Sequence, residues 1–236
     1  MGIRIEICVD TSAGLAEAHA GGANRIELCA ALPLGGLTPS AGFMAEAALL
    51  PIPVLAMIRP RAGDFVFTPP EIGQMEADIA TARTACLAGV VIGASLPDGR
   101  LDRDTLARLV RSARGLDMTL HRAFDMAPDL SEALETAIAL GIPRVLTSGG
   151  APTAWQGRQR IAALIEQAAG RIVVMPGSGI AAENAAGLAA LGAADLHASC
   201  SATQSSPPHA VRMGFAPATR RQTSADLVRA LRQAVD

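Results

Sequence analysis

Apolar and polar positions alternate along the first strand-like run, with Ile5, Ile7 and Val9 on one side and Glu6, Cys8 and Asp10 on the other. The pattern returns at Arg25-Ile26-Glu27-Leu28-Cys29. Side chains two apart in a strand share a face, so each run predicts a strand with an apolar face and a polar face carrying a carboxylate and then a thiol. Short β-like runs recur at 3–9, 25–29, 54–58, 90–94, 117–121, 144–147, 171–175 and 195–198. Between them, segments at 70–87, 102–114, 130–140, 153–169, 182–191 and 224–235 show the three- and four-residue apolar spacing of helices. Glycines at 21–22, 89, 141, 170 and 192 stand where a helix must stop before the next strand. Eight such units predict an α/β fold, a single-domain TIM-type (β/α)8 barrel over residues 1–236, with an irregular segment at 201–223 before the closing helix. An open doubly wound sheet is the rival, but no Gly-x-Gly-x-x-Gly follows the first strand.

Parallel strands covered on both sides normally read as continuous apolar runs. Polar side chains facing the lumen therefore point to a site, and barrel sites form at the C-terminal ends of the strands. Arg59 and Arg61 follow the third strand and suit a carboxylate or phosphate; an internal salt bridge to Glu6 or Glu27 explains them equally well. His121 and His197 fall at strand ends, where a histidine beside Glu6 or Glu27 could act as acid or base, or could simply hold the barrel together. Arg122 and Asp125, then Ser148-Gly149 and Gly177-Ser178-Gly179, follow later strands; small residues there expose backbone N–H groups suited to an anion. Cys8 and Cys29 offer a pair of thiols, the donor type that selects Cu(I). Barrel stagger puts inward residues of adjacent strands in different layers, so from the residues alone packing thiols are the simpler reading.

Composition narrows the classes. The chain has 236 residues, half of them hydrophobic, and a formal net charge of −2 with scattered arginines, which supplies a large core and lacks the basic footprint of a nucleic-acid binder. The uncharged stretch 28–45 is broken by Pro33, Gly35-Gly36, Pro39 and Gly42, so it predicts a loop followed by a helix start rather than a membrane span. Glu6 and Asp10 stand where a secretory signal needs an apolar run, so a cytoplasmic location with reduced cysteines is expected. Lysine is absent, which excludes Schiff-base aldolase chemistry through a lysine and a lysine general base.

Several longer strings occur in order: EICVD (6–10), ANRIELC (23–29), GGLTPS (35–40), MIRPRAGDFVF (57–67), HRAFD (121–125), RVLTSGG (144–150), MPGSGI (175–180) and HAS (197–199). Together they resemble the CutC family, named for copper homeostasis. The resemblance implies a TIM-type barrel, a cytoplasmic place, a homo-oligomer, often a dimer, and a copper ion held by the cysteines at positions 8 and 29. Family members usually carry a basic, tyrosine-containing Ser-Pro-Met-Arg/Lys-Tyr stretch after the eighth strand, where this chain has Ser206-Pro207-Pro208-His209. The reading is thus a Cu(I)-binding copper homeostasis protein. The alternative is a barrel enzyme, an isomerase, epimerase or lyase, acting on a small anionic metabolite, phosphorylated or not, because the rim holds more titratable groups than two thiolates need.

Overall fold

A computed structural model describes residues 2–236. Eight parallel strands form a nearly closed barrel: β1 (Arg4–Val9), β2 (Arg25–Leu28), β3 (Val54–Met57), β4 (Gly89–Ile92), β5 (Asp117–Leu120), β6 (Arg144–Thr147), β7 (Val173–Pro176) and β8 (Asp195–Ala198). The hydrogen-bonded order runs β7-β6-β5-β4-β3-β2-β1-β8. The seam lies between β7 and β8, where a side chain added at Gly177 would stand 3.4 Å from the Cβ of His197. Every predicted strand is present within a few residues of its expected bounds.

The helices are α1 (Ser12–Ala20), α2 (Ala41–Ala47), α3 (Pro69–Thr84), α4 (Arg103–Ser112), α5 (Leu130–Ala139), α6 (Arg158–Ala168), α7 (Ala182–Ala189), α8 (Pro208–Arg212) and α9 (Ala225–Gln233). The uncharged stretch becomes a short 3-10 turn at Leu32–Leu34 and then α2, entered through Ser40, whose side chain accepts from the Phe43 N–H. No helix among the described residues is long and apolar enough to cross a membrane. Helix α1 was not legible in the apolar spacing, because Ser, Ala and Gly dominate it and Leu15 is its one large buried side chain. Its start is nonetheless local: the Thr11 hydroxyl accepts from the Gly14 N–H at 3.0 Å.

The segment expected to be irregular holds order. β9 (Ser201–Ser205) and β10 (Thr219–Thr223) form an antiparallel hairpin, with Ser201 opposite Thr223 and Ser205 opposite Thr219, and α8 lies in the excursion between them. Both strands are polar on both faces, so no alternation marks them.

Strand parity decides where the core sits. Ile5, Ile7, Val9, Ile26, Leu28, Val90, Ile92, Val145 and Leu196 point outward into one large apolar layer under the helices. The polar face points into the lumen. Apolar filling there is sparse: a small cluster of Cys29, Leu55, Met57 and Val91 on one side, with Leu146 and Met175 facing in from β6 and β7. Much of the rest of the interior belongs to charged groups.

Candidate functional site at the mouth of the barrel

The lower lumen is a lattice of buried ions. The Arg25 guanidinium, 2% exposed, binds Glu6 through Nε and Asp195 through Nη2 at 2.7 Å. Arg144 lies 3.3 Å from the same Asp195, binds Asp117 at 2.9 Å and donates to Thr119 Oγ1 at 2.7 Å. Neighbouring strands pair Glu6 with Arg25 and Arg4 with Asp195 in register, which is why these partners meet. Glu6 also binds His197 Nδ1 at 2.8 Å. Burial pushes the Glu6 carboxyl up, but the His197 hydrogen bond and the Arg25 charge outweigh it and bring the pKa down to about 2. Burial likewise opposes charge on His197, yet Glu27, the Cys8 sulfur and Glu6 push its pKa well above the ordinary imidazole value.

One layer higher the pairing is incomplete. Cys8 stands opposite Glu27 in the β1–β2 register. Donor atoms of Cys8, Glu27 and His197 lie within 4.8 Å of one another, and all three residues are buried. The Cys8 thiol makes only a 3.7 Å contact with the Ala198 carbonyl. Cys29, two residues beyond Glu27, turns its thiol onto Glu27 Oε2 at 3.5 Å, while Glu27 Oε1 has no partner. Gly36, at φ +83°, covers the Cys29 sulfur so closely that an added Cβ would sit 3.1 Å from it. Burial and the Glu27 carboxylate raise the Cys29 pKa well above the usual thiol value, and burial raises that of Glu27.

Above this cluster opens a cavity of about 420 Å³ at the C-terminal mouth. Of the residues singled out from the chain, Cys8, Glu27, Arg59, His121, Arg122, Ser178, Gly179 and His197 line it. Others do not. Glu6 lies beneath it in the ion lattice. Arg61 is held at the side by Asp64 and Glu71. Asp125 accepts from the N–H groups of Ser148 and Gly150 and from Arg122, so it ties the β6–α6 loop to the start of the 3-10 turn Arg122–Met126. Ser148 and Gly149 serve that same loop, and Gly177 gives room to Leu146. Arg59 lines the wall, but its guanidinium already donates to the carbonyls of Leu34, Gly36 and Gly63.

Comparison with known proteins agrees with this architecture. The CutC family model matches residues 3–202. The chain belongs to the CutC family. CutC family proteins of Rhizobium meliloti and Agrobacterium fabrum are 52% and 54% identical to it, over 99% and 97% of this chain and 96% and 92% of theirs. The solved structure of CutC from Streptococcus agalactiae, provisionally described as a copper homeostasis protein, is 32% identical. It covers 84% of this chain and 98% of its own, with a TM-score of 0.80.

Within this CutC chain three functional candidates were not legible beforehand. Arg25 and Arg144 are the partners of the buried acids, although their inward parity, two residues before Glu27 and four before Ser148, was available as a signal. Arg221 reaches the cavity from β10, beyond the segment the family model matches. Nothing local marks Arg221, because its position depends on the hairpin.

Proposed function

We propose that the chain binds Cu(I) through Cys8 and Cys29, with His197 as a further donor, as part of copper handling in the cytoplasm. The observation that carries this is the close approach of the Cys8, Glu27 and His197 donor atoms at the base of an open cavity. Thiolate and imidazole are the soft and borderline donors that Cu(I) favours. His197 suits the role because Glu6 occupies Nδ1 and leaves Nε2 facing Glu27, the carboxylate–histidine pairing that orients metal-bound imidazoles. The orphaned Glu27 Oε1 supports a cation at this level. Cys29 stands outside this trio but beside it, its sulfur 3.5 Å from Glu27 Oε2, the same oxygen that lies 3.8 Å from His197 Nε2. Binding must expel the protons on the thiols and on His197, so affinity weakens as pH falls.

All four cysteines are free, as a reducing compartment requires. The reading also takes the protein to be a homo-oligomer, a dimer in the first instance, in keeping with the exposed Leu49, Met213 and Phe215. Anaerobic titration with Cu(I) against a competing chelator tests the copper site. Cys8→Ser should lose most of the affinity, and an unchanged affinity in Cys8→Ser/Cys29→Ser would overturn the proposal.

A further inference from the structure

Across the lumen from the thiols, at the end of β5, stands a histidine whose environment prescribes one hydrogen-bond role. The Ala123 N–H donates to His121 Nδ1 at 3.1 Å, so that nitrogen is an acceptor and the ring proton sits on Nε2. Burial, aided by the charge of Arg59, keeps the ring neutral with a pKa of about 3. The ring cannot turn away: Phe65 packs at 4.8 Å between centroids, and a Cβ at Gly93 would fall 2.2 Å from Cε1. Yet Nε2–H has no acceptor among the described residues, although the residue is only 3% exposed. A buried donor left unmatched costs about 1–3 kcal/mol. Held in one tautomer at a cavity wall, it calls for a ligand oxygen.

The rim on this half of the mouth offers more donors. Arg221 is anchored on Ser201 through Nε and Nη2, and Arg122 on Asp125 and Ser148 through the same two nitrogens. Each keeps Nη1 for a ligand. The β7–α7 loop adds Ser178, Gly179 and Ile180, whose amide N–H groups find no acceptor among the described residues. Arg59, Arg122 and Arg221 face one carboxylate, Glu27, so the cavity is electropositive. Leu146 and Ile180 supply an apolar wall between the rim and His121. The volume is that of an ordinary small-molecule site.

We infer that this half of the mouth is a binding site for a small organic anion, its phosphate or carboxylate head on Arg122, Arg221 and the Ser178–Ile180 amides and a second oxygen accepting from His121 Nε2–H. This site is separate from the copper reading. It uses residues just after β5, in the β7–α7 loop and on β10, and none of the thiols.

The test uses the full chain in the Cys8→Ser/Cys29→Ser background, so that failure of the copper site leaves it intact. Inorganic phosphate, glycerol 3-phosphate and glycerate are the probes, read by calorimetric titration and by the ¹⁵N resonances of labelled histidine. Glycerol 3-phosphate binding tighter than inorganic phosphate assigns a phosphate head with a second oxygen contact; glycerate binding tightest assigns a carboxylate head. In either case the His121 Nε2 resonance shifts on binding. Arg221→Gln, a surface change that leaves folding intact, and His121→Phe, which keeps the ring, should each weaken binding by roughly ten- to a hundredfold. Absence of binding by all three probes at millimolar concentration overturns the proposal, as does binding that neither substitution alters.

Discussion

The floor and the mouth of this lumen are built from the same residue types, and they treat them oppositely. On the floor, Glu6, Asp195 and Asp117 meet Arg25 and Arg144, and each acid has a basic partner within ion-pair distance. At the mouth, Glu27 Oε1, the Cys8 thiol and His121 Nε2 are buried with weak partners or none. A buried charge is tolerable when paired and hydrogen-bonded and expensive otherwise. The floor therefore holds the barrel, while the mouth carries unspent donors and acceptors that a ligand can use. This matches the division of labour between the two ends of such barrels.

The largest effect should come from breaking the floor. Arg25→Met takes a guanidinium from two buried carboxylates, leaving Glu6 only His197 and Asp195 only Arg144 within the lumen, and should cost about 3–5 kcal/mol in denaturant unfolding. A loss below about 1 kcal/mol would show that the lattice does not stabilise the fold.

Acid should separate the two regions by pH window. His121 has a folded pKa of about 3 against 6.5 in an unfolded chain, so below pH 6.5 the unfolded chain takes a proton that the fold refuses. Its contribution to stability is complete above that pH and is lost as pH falls toward 3. Glu6, at about 2 against 4.5, acts in the same sense but lower, its contribution present above pH 4.5 and lost toward pH 2. His197, whose pKa is raised, acts in the opposite sense, its contribution complete below 6.5 and lost as pH rises. The melting temperature of wild type minus that of His121→Phe isolates the mouth term and should fall on acidification from pH 6.5, whichever protein is the more stable at neutral pH. A difference that stays constant would refute the neutral, buried state of His121.

The smallest effect should come from Glu27→Gln. Its one ionic partner, the His197 ring, lies 3.8 Å away and is also held by Glu6, and burial already raises the Glu27 pKa, so neutralising it should change stability by less than about 1 kcal/mol. A loss as large as that of Arg25→Met would move Glu27 from the mouth to the floor.

Much of this arrangement was legible in the chain. The eight strands could be placed because Ile5, Ile7 and Val9, and their counterparts in later runs, bury a continuous outer layer. The polar inner face was equally readable from parity, and it brought Cys8, Glu27, His121 and His197 into one set. Helix α1 and the β9–β10 hairpin escaped because Ala-, Ser- and Thr-rich or doubly polar segments carry no periodic signal. The roles of the arginines escaped for a different reason. A guanidinium spans several ångströms, so whether Arg59 clamps a ligand or three carbonyls, or Arg61 faces in or out, depends on loops that alternation does not describe.

Alternation, glycine stops and residue chemistry by themselves determined a barrel with carboxylates, thiols and imidazoles on its inner face, because side-chain direction along a strand is set by the backbone alone. Tertiary structure decided which of those groups are already satisfied. Strand register placed Arg25 beside Glu6 and left Cys8 opposite Glu27, loop packing fixed one tautomer of His121, and a polar hairpin from beyond the eighth strand delivered Arg221 to the rim. Hydrogen-bond satisfaction depends on distance and angle between residues far apart in sequence, and only folding brings them within reach.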